Sequence, residues 1–142
     1  MSTDAEIRAV AERRFAEHRD REKYSPLGSM MLDSLDEGYR AMEKLLMLWK
    51  GRGPVGGYKI ALTSKPIQEL CGVDQPCGGF VFRETIHPSG SELSLGDFNG
   101  LALEFELAVR IGKDIPAASA PFTAESVREY VAACHPAFEL ID

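Results

Sequence analysis

Cysteine is scarce in this chain, and the three present stand at Cys71, Cys77 and Cys134. Those intervals fit neither a zinc motif nor a disulfide framework, so unpaired thiols in a reducing compartment, the cytoplasm, are expected. Long apolar runs are also missing. No stretch approaches the ~18 residues that suggest a membrane span. The opening "MSTDAEIRAV" lacks the apolar core of a signal peptide. Positive charge is in deficit, with 16 Lys and Arg against 22 Asp and Glu, a formal net charge of −6. That balance argues against a nucleic-acid binder working by phosphate neutralisation. The densest basic cluster, Arg13 to Lys23, is interleaved with acids. Internal repeats and low-complexity segments are absent. So are three catalytic signatures: the GK[ST] ending of a phosphate loop, HExxH, and G-x-S-x-G around Ser64.

What is present reads as one modest domain of 142 residues with ordinary apolar and charged shares. Thr3 to Glu6 forms a capping-box pattern. Ile7, Val10, Ala11 and Phe15 follow at helical spacing, and "YSPLGS" breaks that helix. Ser34 to Glu37 is a second capping-box pattern. Leu35, Tyr39, Met42, Leu46 and Trp49 then trace an apolar stripe expected to face the core, with Gly51 as C-cap. "GYKIAL" predicts a strand over residues 57–62. Ser64 predicts a cap for a short helix with Pro66 in its first turn, ended by Cys71-Gly72. "GGFVFRETI" predicts a strand and "PSGSELSLGDFNG" a loop. Thr123 predicts a cap for a last helix burying Val127, Tyr130, Val131 and Cys134 and ended by His135-Pro136. "AFELID" reads as a strand.

The clearest local signal is "LEFELAVRIGKDIP". From Leu101 to Ile111 every odd position is apolar. The even positions are Ala102, Glu104, Glu106, Ala108 and Arg110. A period of two is a strand. Glu104 and Glu106 therefore project from one face, flanked by alanines. Two readings fit. One is the solvated face of an antiparallel strand. The other is a hard-cation site for Mg²⁺ or Mn²⁺, with oxygen ligands and positions left open for water or substrate. Such a site calls for a third carboxylate. Glu139 in "AFELID" is the first candidate and Asp142 the weaker one. Lys59, inside the apolar "GYKIAL", either extends its ammonium to the surface or holds it in a pocket suited to acid–base work. His87 and His135 are isolated and read as loop and helix-end residues.

Three stretches taken together, "GYKIALTSKPIQELCGVDQPCGGFVF", "LEFELAVRIGKDIP" and "HPAFELID", resemble the 2-keto-4-pentenoate hydratases. These form a hydratase and decarboxylase branch of the fumarylacetoacetate hydrolase superfamily. The resemblance implies that Glu104, Glu106 and Glu139 hold the metal, Mg²⁺ or Mn²⁺, and that Lys59 is the active-site lysine. It implies a lyase that adds water to a 2-hydroxy-2,4-dienoate, giving a 4-hydroxy-2-oxo acid late in aromatic catabolism. Decarboxylation of a 2-oxo-3-enedioate and C–C bond hydrolysis are the alternatives within the superfamily. Two departures stand out. Cys77 follows "DQP" where many hydratases carry an acid, and "EGYRAM" replaces the usual opening of the second helix. The implied fold is α+β: N-terminal helices (residues 1–52) leading into an incomplete mixed β-roll of the fumarylacetoacetate hydrolase type (residues 53–142). Members of that family continue past "ELID" and form homo-oligomers. The expectation is therefore the N-terminal half of such an enzyme, with a non-catalytic fragment as the third reading. The expected partner is a small dienoic acid, and neither nucleic acid nor membrane.

Overall fold

The computed structural model describes residues 1–142. The chain is α+β, helices first and antiparallel sheets after, and it divides into two compact units, Met1–Glu92 and Leu93–Asp142. No helix is long and apolar enough to cross a membrane.

In the first unit, α1 spans Asp4–Arg19. The Thr3 box forms in both directions: Glu6 N donates to Thr3 Oγ1 at 3.3 Å, and Thr3 N donates to Glu6 Oε2 at 2.7 Å. This satisfies two of the backbone donors that a helix start leaves open. The helix ends at Arg19, before "YSPLGS". Arg21 adopts a left-handed φ of 57°. Its N–H reaches His18 O at 3.2 Å, and Glu22 N–H reaches Glu17 O at 2.8 Å. That is the Schellman pattern, here with arginine where glycine is usual, so a search for Gly or Pro misses the stop.

The second helix, α2, spans Leu35–Leu48. Its box closes on one side only. Ser34 Oγ accepts from Glu37 N at 3.3 Å, but the Glu37 carboxylate turns elsewhere. It accepts from Ser2 N at 2.7 Å, Ser2 Oγ at 2.8 Å and Asp33 N at 2.9 Å. Glu37 is buried, and these donors hold its carboxyl below the usual range. Ala41, with Ile7 and Val10 of α1, forms the buried core of the helix pair. The stripe Leu35, Tyr39, Met42, Leu46 and Trp49 is only half-buried. The positive-φ glycine after α2 is Gly53, at 85°, and not Gly51, which lies in a 3₁₀ turn.

Trp49 ties the helices to a hairpin. Its ring lies 6.3 Å from Phe15, 6.2 Å from Phe80 and 5.8 Å from Phe82. Tyr39 Oη accepts from Gly78 N at 2.9 Å. The hairpin pairs β1 (Val55–Ala61) with β2 (Cys77–Phe82) antiparallel. β2 stops at Phe82 because Arg83–Thr85 coils into a 3₁₀ turn, which shortens the strand expected through Ile86. Gly56 sits at the bulge where register shifts between Val55 and Gly57. A Cβ there would lie 2.6 Å from Arg83 Cα, so only glycine fits. Between the strands lies α3, Lys65–Cys71, closed by Gly72 in the left-handed region.

In the second unit, β3 spans Ala102–Ile111 and pairs antiparallel with β4, Val131–Ile141. The helix after Thr123, α4, covers only Ala124–Arg128. Tyr130 to Cys134, expected to be helical with His135-Pro136 as the stop, instead form the turn into β4 and its first residues, and His135 and Pro136 continue that strand. β-branched Val131 favours a strand. Pro136 is acceptable there because each strand of a two-stranded ribbon is an edge, where a missing N–H need not break a ladder. The local 3.6-period pattern lost to pairing with β3. No residue of this unit is buried. Both sheets are two-stranded, no parallel pairing occurs, and no barrel closes.

Candidate metal centre

The register of β3 on β4 decides which side chains meet. Glu104 stands directly opposite Glu139, and Glu106 opposite Ala137. Directly paired residues project to the same face, so all three glutamates rise from one side of the ribbon. One carboxylate oxygen from each lies within 4.8 Å of the others. Glu104 and Glu106 are exposed and Glu139 is half-buried. Ala102, Ala108 and Ala137 leave the surrounding surface low.

Three formal negative charges this close repel, because Coulomb energy falls only as the inverse of separation. A divalent cation between them converts that repulsion into attraction. The donor set is all oxygen, which suits a hard ion. Ligand oxygens of an octahedral ion at roughly 2.1 Å lie about 3–4 Å from one another. The carboxylates therefore need to close by only about an ångström, within the reach of side-chain rotation. Three protein ligands leave positions for water or for a chelating substrate.

Asp142 is not part of this group. Its Oδ1 accepts from Asn99 N at 2.5 Å and Gly100 N at 2.8 Å, pinning the loop that enters β3. It is a structural acceptor. His135, expected at a helix end, lies in β4 opposite Ala108. It therefore shares the glutamate face, two residues along β4 from Ala137. Nothing in the local sequence gave that placement, which depends on β4 being a strand.

Lys59 belongs to the first unit. It stands on β1 opposite Gly79, on the half-buried face that it shares with Val55, Gly57 and Ala61. Tyr58 and Ile60 face outward at 82% and 66% exposure. So the inward-facing residue of "YKI" is the lysine, paired with a glycine across the hairpin. Cys77 is half-buried and opposite Ala61. All three cysteines are free thiols, and His87 lies in an exposed loop.

One charged cluster went unread in the sequence. Glu17 is buried at 7% exposure. It accepts from Arg14 Nη1 at 2.5 Å, Arg13 Nε at 3.2 Å and Ser25 N at 3.3 Å, and also from the Ser25 hydroxyl. The Ser25 hydroxyl, then the two guanidinium groups, bring its carboxyl down to about 2. The cluster fastens the turn after α1. It is structural, and its sequence signal was the Arg-Arg-x-x-Glu spacing, which places partners on one helix face.

No family model matches the chain. One curated relative is the "TodF product hydratase" of Pseudomonas putida strain F1. It is 37% identical to this chain over 59 residues, which are 42% of this chain and 22% of that enzyme. The chain thus spans little more than a fifth of the length of the relative it matches, and over that stretch it is similar to a hydratase.

Proposed function

We propose that this chain carries the metal-binding strands of a divalent-metal-dependent hydro-lyase that hydrates a 2-hydroxy-2,4-dienoate to a 4-hydroxy-2-oxo acid. The observation that carries the reading is the convergence of Glu104, Glu106 and Glu139 from two strands onto one face. The partial similarity to a hydratase supports the same reaction class.

Glu104, Glu106 and Glu139 would hold Mg²⁺ or Mn²⁺. When bound, the ion supplies Lewis acidity toward the carboxylate and 2-oxygen of a small 2-oxo or 2-hydroxy acid. Three carboxylates would more than balance the ion's charge of +2, and the alanines around them leave space beside it for a planar dienoate. Lys59 Nζ is assigned the proton transfer that turns the dienol into the conjugated enone, to which water then adds. Its half-buried setting opposite Gly79 suits a group kept partly from solvent. The reading places the protein in the cytoplasm, in aromatic catabolism, acting on a small dienoic acid.

Cys77, where an acid is common after "DQP", favours keeping the decarboxylase reading beside the hydratase one. The test is calorimetric titration of the chain with Mg²⁺ and Mn²⁺, followed by incubation with a 2-hydroxydienoate. Ion binding with loss of dienoate absorbance and no carbon dioxide is the expected result. Release of carbon dioxide from a 2-oxo-3-enedioate would move the assignment to decarboxylation. Ion binding without turnover of either acid would leave a non-catalytic fragment. A Glu104→Gln/Glu106→Gln pair that binds the ions as the parent does would sink the metal site.

A further inference from the structure

The pairing of β3 with β4 puts one more reactive side chain on the glutamate face. Glu104 stands opposite Glu139, Glu106 opposite Ala137, and Ala108 opposite His135. All six project from the same side of the ribbon. At a strand rise of about 3.4 Å per residue, the Ala108–His135 pair stands roughly 7 Å beyond the Glu106–Ala137 pair. His135 is exposed, and its ring lies outside the cluster of carboxylate oxygens. It is therefore not placed as a ligand of an ion held by the glutamates. It stands beside that site, one strand pair along.

A small 2-oxo acid gripped by its carboxylate and 2-oxygen leaves its carbon chain to run along the ribbon in one of two directions. Toward Ala102 and Ile141 the face offers no acid–base group. Toward Ala137 and Ala108 it offers two methyl side chains and then the His135 imidazole. The alanines keep that path low, so the far carbons of the acid arrive beside the ring. Imidazole is the side chain that takes and gives a proton near neutral pH. Arg110, opposite Ala133, lies one pair further on, and a guanidinium stays protonated and cannot act as a base. Asp142 is engaged by Asn99 N and Gly100 N.

We infer that His135 is a catalytic residue of the hydration, the acid–base group for the water that adds to the far end of the substrate. The inference rests on the metal-dependent reading of the three glutamates. One imidazole nitrogen accepts a proton from water as the water oxygen bonds to carbon 4 of the conjugated enone. The electron pair of the C3–C4 π bond moves to the 2-oxygen as an enolate. The enolate then collapses, and carbon 3 takes the proton back from the imidazolium. One water is consumed, nothing is oxidised or reduced, and His135 ends as it began. Lys59 keeps the earlier step from dienol to enone, so the two proton transfers belong to different residues.

Proton NMR and product analysis on the full chain test it. The chain has three histidines, His18, His87 and His135, and the ring signal lost in His135→Ala assigns the third. With Mg²⁺ present, 2-oxopentanoate, which has no double bond to hydrate, should shift that signal more than those of His18 and His87. His135→Ala should bind Mg²⁺ as the parent does and still turn a 2-hydroxydienoate into the enone. Water addition should fall by at least about a hundredfold, so the enone accumulates. Imidazole added to the buffer should restore part of the hydration, which a merely structural role would not allow. A His135 signal that stays put with ion and 2-oxopentanoate bound overturns the inference, and so does a variant that hydrates as fast as the parent. Loss of Mg²⁺ binding in the variant overturns it too, since that would make His135 a ligand. Where the parent binds Mg²⁺ but turns over no acid, the NMR shift alone decides. A parent that binds no Mg²⁺ removes the metal reading and this inference together, whereas a parent that binds it with an unmoved His135 removes only the inference.

Discussion

Residues 1–92 and residues 93–142 use the same physics to different ends. In the first unit Ile7 is wholly buried, Val10, Ala11, Ala41 and Phe82 nearly so, and buried Glu17 and Glu37 are each met by several donors. In the second unit a ten-residue strand alternates cleanly, yet every residue of it is exposed. Regular alternation there is not evidence of a core. It sorts side chains onto two faces, one acidic and one apolar, and leaves both available. Burial is concentrated in the first unit, and the second keeps its side chains at the surface.

The first unit is most sensitive at Ile7. Ile7→Ala should cost roughly 2–5 kcal/mol, the range for a buried aliphatic side chain. The fluorescence of Trp49, the chain's single tryptophan, reports that unit's unfolding. The matching change in the ribbon, Leu107→Ala, should shift chemical unfolding by less than about 0.5 kcal/mol at concentrations too low for association. Equal costs at the two sites would erase the distinction.

Ion binding sharpens it from the other side. Mg²⁺ at a hundred times its dissociation constant should stabilise the ribbon by about 2.7 kcal/mol, by linkage. Amide exchange across β3 and β4 should slow, while the Trp49 transition stays put. Glu139→Gln should remove most of that protection.

Gly56→Ala should destabilise the β1–β2 hairpin by about 1–3 kcal/mol, the range for a side chain forced into occupied space, since its Cβ would press on Arg83 Cα at 2.6 Å. Urea melts followed by Trp49 check this, with Gly79→Ala, which meets nothing within 4 Å, as the milder control.

The smallest effect is acid-dependent. The Glu17 carboxyl is lowered from its ordinary 4.5 to about 2. Its contribution to stability is therefore complete above about pH 4.5 and is lost as pH falls toward 2. Glu37 shifts in the same direction, held chiefly by the Asp33 N–H. Glu17→Gln should flatten the acid limb of the Trp49 transition in that window and leave the ribbon's exchange unchanged. A limb as steep as the parent's would remove Glu17 from the account.

Much of the local structure was legible. The Thr3 box, the β3 alternation, the strand at Lys59 and the Gly72 stop each rest on a short-range rule that the surrounding fold does not oppose. The misses have a common cause. Arg21 takes a glycine's conformation because the Glu17–Ser25 cluster holds the turn. Glu37 leaves its own helix's cap for Ser2, thirty-five residues away. Val131 to Pro136 join β4 because β3 supplies a ladder that an isolated helix could not match.

The local amino-acid pattern alone dictates that Glu104 and Glu106 share a face, because alternation along a strand is a property of the backbone. The same holds for α1, α2 and their N-caps Thr3 and Ser34, which rest on helical spacing and on hydroxyls beside open backbone donors. That Glu139 lies opposite Glu104, that Asp142 serves a loop instead, and that His135 stands on the acidic side were decided by register. Register is set by which residues of two distant strands pair, and no rule confined to one strand contains it.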